Sequence, residues 1–332
     1  MFRIILRKML TQAFLFLFLL TIWWRVEYQD YITTAGKVSG PIPVFPKMQI
    51  EMLKSPDPKN VTAALEETAR SLINYLEPEL AKEFWDCRFL FVDLLPGEPQ
   101  ELVVSLSLAP DRGVLVLLQQ QNNHYTLLYY LNNLLPLTKL EKFPLPSGSE
   151  VLVTREEHEE RTGSFSESHL IKLWTWKDQT LQVVWNDNSF WEVNWLNTWQ
   201  DPQSKSLKWY KLTQEAGISY QPQPQPTIIV QSQQSYAECP TEKIVLPPAE
   251  NFQQLNQRRF NQSYLWNEEW QRFIIKTATI PAQDNRPAQK VAVLKDLELH
   301  LESLADNQPQ YEVIGTDGKI FLIDKSQVRL DL

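Results

Sequence analysis

Seven short apolar runs follow one another between Arg88 and Asn186, and they restrict the fold more than any other feature of the chain. They read RFLFVDL, ELVVSLS, GVLVLLQ, HYTLLYYL, EVLVTRE, HLIKLWTW and TLQVVWN, rich in Leu, Val and aromatics. Short breakers punctuate them: LPGEPQ, APDR, QQNN, PSGS and KDQ. Runs of this length with turn residues between them are β-strands, and breakers this short join them as consecutive antiparallel hairpins. The expected fold is therefore mainly β, propeller-like or sandwich-like, and the regular spacing argues against alternating βαβ units. Several runs are too continuously apolar for a sheet with one wet face, so both faces are expected to be covered.

One segment before this region reads as an amphipathic helix. Asp57 can cap it, Pro58 suits the first helical position, and Val61, Leu65, Thr68, Leu72, Ile73 and Leu76 recur at three- and four-residue steps up to Glu77-Pro78. That helix is a candidate cover for one face of the sheet.

The amino terminus carries a location signal. Arg3, Arg7 and Lys8 precede a run from Met9 to Trp24 without a charge, and Trp23, Trp24 and Arg25 close it. Sixteen helical residues rise ~24 Å, slightly less than the ~30 Å hydrocarbon slab, so Arg7 and Lys8 must snorkel. A cleaved signal peptide is the competing reading, but bulky or charged residues follow the run, and the first small cluster, Thr33 to Gly36, lies far beyond it. We expect an uncleaved signal anchor, a single pass through the cell membrane with the bulk of the chain outside the cytoplasm.

These signals divide the chain into residues 1–25 as the anchor, 26–57 as a Pro-rich extended linker, 58–246 as a helix plus antiparallel β domain, and 251–332 as a small C-terminal β unit. QPQPQP at 221–226 reads as a surface connection, because Pro lacks the amide donor a central strand needs. In the last unit, Asp317-Gly318 between two apolar runs is a hairpin signal.

Cys87 and Cys239 are the only two cysteines, and no C-x-x-C is present. In an oxidising compartment they are a candidate disulfide, and two separate buried thiols are the other reading. The formal charge of −8, from 40 acidic and 32 basic residues, argues against a nucleic acid partner.

Motifs for chemistry are scarce. No Walker loop, G-x-S-x-G or H-E-x-x-H occurs, and nine glycines in 332 residues leave little for a phosphate cradle. No catalytic residue, metal ligand or cofactor is assigned. Arg155 to Arg161 concentrates four carboxylates around His158, and reads as a solvated loop between strands. Seven of the twelve tryptophans fall between Trp174 and Trp209. Trp174, Trp176 and Trp185 sit in strands and read as core, whereas Trp191, Trp195 and Trp199 are either core or a ligand-stacking strip suited to cell-wall glycan. Ser189 and Glu192 make a capping box if that stretch is helical.

The stretch Asp93-Leu94-Leu95-Pro96-Gly97-Glu98-Pro99-Gln100-Glu101-Leu102 resembles the FG-GAP or VCBS-type repeat of extracellular β-propellers, where a strand ends in D-x-D-G-D-G-x-x-E-L. Similar segments occur in uncharacterised extracytoplasmic proteins of Gram-positive bacteria. The first Asp and the closing Glu-Leu match. The family's third and fifth positions, which bind calcium, are Leu95 and Gly97 here, so the resemblance implies a retained hairpin without the metal. Two aromatic pairs, Trp174 with Trp176 and Tyr264 with Trp266, each lead into a polar turn and echo one another.

The function expected from these features is a membrane-anchored extracytoplasmic protein, a non-catalytic binding or assembly module of the cell envelope. Its partners would be the lipid bilayer through the N-terminal helix, and cell-wall glycan or another envelope protein. The alternative is an envelope hydrolase of glycosidase type whose carboxylates are distant in sequence.

Overall fold

A computed structural model describes residues 42–80, 86–95, 97–109, 111–160, 165–282, 287–305 and 308–331. The expected anchor, 1–25, and the linker up to residue 41 lie outside them. Among the described residues no helix is long and apolar enough to cross a membrane.

The chain is mainly β, and among the described residues every strand pairing is antiparallel. The first sheet contains β1 (Val44–Pro46), β2 (Asp86–Val92), β3 (Glu101–Ala109), β4 (Arg112–Gln121) and β5 (His124–Leu134), in the order β1-β5-β4-β3-β2. Alternation along β3 and β4 assigns their faces. Leu102, Val104, Leu106, Val114, Val116 and Leu118 pack with one cluster, and Val103, Leu115 and Leu117 with another. Both faces are thus covered, which is why these runs are apolar at every position.

Helices α1 (Lys47–Glu51) and α2 (Pro58–Leu76) form the first cover. Asp57 caps α2 by accepting a 3.0 Å hydrogen bond from the Lys59 amide, and Ala64, Ala69, Leu72 and Ile73 are buried against the sheet. The expected extended linker needs correction here: its last part is folded. Phe45, Ile50 and Leu53 are 3%, 0% and 4% exposed, because their apolar side chains complete the cluster under α2.

The second sheet is a meander of β6 (Leu137–Pro144), β7 (Glu150–Glu160), β8 (Ser166–Lys177), β9 (Thr180–Leu196), β10 (Leu207–Gln221), β11 (Thr227–Thr241), β12 (Gln253–Asn267) and β13 (Arg272–Ile274), curved into a half-barrel. A short helix, α3 (Asn197–Gln200), joins β9 to β10. Leu152, Trp174 and Leu181 pack on the second face of the first sheet, so these two sheets meet face to face as in a sandwich. Gly113 lies at this junction; a Cβ there would stand 2.2 Å from the Leu135 carbonyl oxygen. Two sheets of five strands and one of eight are not the repeated four-stranded blades of a propeller.

The third sheet holds β14 (Lys276–Ile280), β15 (Gln289–Asp296), β16 (Gln310–Gly315), β17 (Ile320–Asp324) and β18 (Arg329–Leu330), ordered β17-β16-β15-β14-β18. Gly318, at φ +79°, turns the β16–β17 hairpin at the Asp317-Gly318 signal. The limit of this unit differs from the expected 251. Pro247 and Pro248 interrupt the chain only between β11 and β12, which pair along most of their length, so residues 253–267 belong to the half-barrel. QPQPQP connects β10 to β11 at the surface.

Residues 155–160 are strand rather than loop. Glu156 lies opposite Leu170, Glu157 opposite His169 and His158 opposite Ser168. Alternation sends Glu157 and Glu159 outward and Glu156 inward, where Lys172 on β8 meets it.

Candidate functional site

The interior of the half-barrel changes chemistry along its length. At one end Ile171, Val184, Trp185, Ile228, Val230, Trp266 and Phe273 form an apolar cluster. At the other, Trp191, Val193, Trp195, Leu212 and Tyr236 receive Leu301 and Leu304 from the chain that follows β15. Between them lies a polar belt of Asn188, Gln214, Ser232, Gln234 and Arg258.

The belt arises because β10 and β11 keep period-two alternation while exchanging apolar for amide side chains: Ile228, Val230, Ser232 and Gln234 all point inward. On β9 a bulge against β8 adds Ser189 between Asn188, which pairs Leu170, and Phe190, which pairs His169. Such an insertion changes which side chains point inward. The stretch is strand, so the Ser189–Glu192 helix cap does not form, and Ser189 Oγ donates to the His169 carbonyl at 3.1 Å.

Residues 296–304, two short 3-10 turns at Leu297–Leu299 and Leu301–Leu304, lie across the belt. Arg258 holds them. Its Nε donates to Gln234 Oε1 at 2.6 Å, and its Nη1 and Nη2 donate to the carbonyls of Glu298 and His300. Gln234 Nε2 donates to Gln214 Oε1 at 2.5 Å and to the Leu299 carbonyl at 2.9 Å. Buried amides satisfied in this way fix one arrangement of the segment.

Under that segment is a cavity of about 60 Å³, lined by Asp187, Asn188, Trp191, Gln214, Tyr264, Lys295, Asp296 and His300 among others. Asp187 accepts from the Asn188 amide at 2.7 Å. Burial raises its carboxyl above the ordinary range; His300, Lys295 and the amides of Asn188 and Gln214 oppose that shift. Asp296 is paired with Lys325 Nζ at 2.5 Å. The cavity therefore brings together two carboxyls in unlike surroundings and an imidazole, an arrangement that can hold or move a proton on a small polar group. This space is small beside the roughly 300–1,000 Å³ of pockets for drug-sized ligands.

The three singled-out tryptophans do not form one strip. Trp191 and Trp195 are on the inner face of β9; Trp195 stacks with Tyr236 at 6.2 Å and 5°. Trp199 is on α3, 43% exposed, with its ring 5.3 Å from Trp209 in an edge contact. The two cysteines are free thiols. Cys87 packs beside the helix-covered cluster and Cys239 joins Leu196 and Trp209, so different sheets separate them. Burial, then Asp86, pushes the Cys87 thiol up to about 12.

In the Asp93–Leu102 frame the hairpin is present, with Val92 opposite Glu101. Glu101 is fully buried and accepts from the amides of Leu94 and Leu95 at 2.9 and 3.3 Å, so its carboxylate orders the loop backbone. Among the described residues no three His, Cys, Asp or Glu side chains gather as a metal ligand set.

No protein-family model, curated protein or solved structure matches this chain. The cavity residues Asp187 and His300 and the belt residue Arg258 belong to no local motif; in β11 the change from Ile228-Ile229-Val230 to the polar run Gln231–Ser235 is the sequence feature that accompanies the belt.

Proposed function

We propose that the chain is a membrane-anchored extracytoplasmic protein whose β body works as a non-catalytic binding or assembly module of the cell envelope, toward wall glycan or another envelope protein. The observation that carries the non-catalytic part is the closure of the half-barrel by the chain's own residues 296–304, which leaves about 60 Å³ inside. Location rests on the uncharged run from Met9 to Trp24. Digestion of intact cells with an added protease tests it: the body is degraded from outside while cytosolic markers survive. Recovery of intact chain from cytosol without detergent contradicts it.

One observation favours the envelope hydrolase as a second reading. Asp187 and Asp296 line the same cavity, and burial biases Asp187 toward the protonated form that a general acid needs. Release of reducing ends from wall glycan by the purified protein, lost in Asp187→Asn, would select that reading over the first.

A further inference from the structure

Strand β12 is 15 residues long, yet β13 covers its outer side only at Leu265, Trp266 and Asn267. From Gln253 to Tyr264 no described strand pairs with that side. A bulge at Leu255, between the pairs Tyr236–Asn256 and Ala237–Gln254, disturbs one end; residues 256–264 run in regular register with β11. A free edge offers a row of unpaired amides and carbonyls to any extended chain, and proteins usually blunt it with charged side chains, Lys above all, with Pro, a bulge, an inward-pointing charge or shortness. Here the sequence is NQRRFNQSY, with neither Lys nor Pro; the bulge at Leu255 and the inward-pointing Arg258 lie toward one end, and beyond them Arg259 is the one charge on the edge. Asn256, Gln257, Arg259, Asn261 and Ser263 are exposed.

Charge narrows the occupant. No acidic residue occurs between Gln253 and Asn267, although the whole chain carries −8. Arg258 points inward and is engaged by Gln234, Glu298 and His300, but Arg259 points outward beside Gln233. A second copy adding antiparallel about a two-fold axis near the middle of this edge brings the arginines of both chains together, which costs free energy. An extended segment with carboxylates opposite Arg259 gains instead.

We propose that residues 256–263 of β12 are the docking edge for an acidic, extended segment of a partner protein, which joins the half-barrel as an added strand. This rests on the binding-module reading and identifies its surface. The main chain provides the hydrogen bonds, the exposed Asn, Gln and Ser side chains suit a polar strand, and Arg259 selects for negative charge.

The test uses the full chain in detergent micelles and three synthetic peptides: alternating Thr and Val carrying two Glu, the same peptide with two Lys, and the Glu peptide N-methylated at every second amide. The Glu peptide is expected to bind and to slow hydrogen exchange at residues 256–263. The Lys peptide should bind about tenfold more weakly, the N-methylated one not measurably, and Arg259→Glu should reverse the order of the first two. Absence of protection with the Glu peptide, or equal binding of the N-methylated peptide, overturns the proposal. So does a dimer in sedimentation whose residues 256–263 are already protected and resist the Glu peptide, since the edge then belongs to a second copy. None of these outcomes depends on where the protein resides, so the topology experiment above stands or falls separately.

Discussion

Lys172 Nζ lies 3.2 Å from the carboxylate of Glu156, with the two side chains 5% and 0% exposed, between strands β7 and β8. Glu156 also accepts from the Leu135 amide at 3.2 Å, so the pair ties the β5–β6 connection to the second sheet. Removing one member of a buried pair leaves an uncompensated charge, whereas replacing both with apolar groups does not.

Lys172→Met alone is therefore expected to lower stability by about 3–5 kcal/mol in urea denaturation, and Glu156→Gln with Lys172→Met, which removes both charges and keeps an acceptor for the Leu135 amide, to recover most of it. A loss in the double variant equal to or larger than in the single one contradicts a simple ion pair.

Acidity should act through Glu101. Burial raises its folded pKa above 4.5, against the Leu94 and Leu95 amides that lower it. A carboxyl whose folded pKa is raised contributes stability that is fully present below about 4.5, the ordinary value, and is lost as pH rises through the folded pKa. Glu101→Gln keeps an acceptor for both amides and cannot titrate. Its stability curve should lie closest to the wild type at low pH and exceed it above the folded pKa of Glu101; parallel curves refute the assignment.

The folded end of the expected linker makes a sharp contrast available. Ile50, fully buried, should cost about 2–5 kcal/mol as Ile50→Ala, and Met48, 78% exposed, under about 0.5 kcal/mol as Met48→Ala. Equal small effects would return residues 47–54 to a stalk.

Strands β2 to β5 and the apolar stretches of β7 to β9 were legible in the sequence as Leu-, Val- and aromatic-rich runs; the charged end of β7 read as a loop and the second half of β9 stayed open, because polar residues interrupt both. Strand β6 was not legible, since Lys139, Glu141 and Lys142 break the run; Glu141 and Lys142 are engaged by Arg155 and Glu150 across to β7. Strands β10 to β12 were harder still. Their inner faces exchange aliphatic residues for Gln, Ser and Arg just where the belt lies, so burial and polarity point in opposite directions. Helix α2 could be read from Asp57 to Glu77 because its cap and apolar face are local. The cavity draws its lining from β8, β9, β10, β12 and residues 295–301, which only the fold assembles.

Both thiols should react late. Cys239 is 6% exposed and the Cys87 thiol is raised to about 12, so a thiol reagent near pH 8 is expected to label the native protein slowly and to find two thiols once it is unfolded without reductant. Absence of free thiol in the unfolded, unreduced protein would show a disulfide instead.

Closure of the half-barrel by residues 296–304 is most directly measured by their amide hydrogen exchange. With Arg258 and Gln234 holding the Glu298, Leu299 and His300 carbonyls, exchange there should be nearly as slow as in β10 and β11, and Arg258→Ala should speed it without affecting the first sheet. Exchange as fast as that of an open loop in the wild-type protein would mean that the barrel stands open and that its interior is available to a ligand.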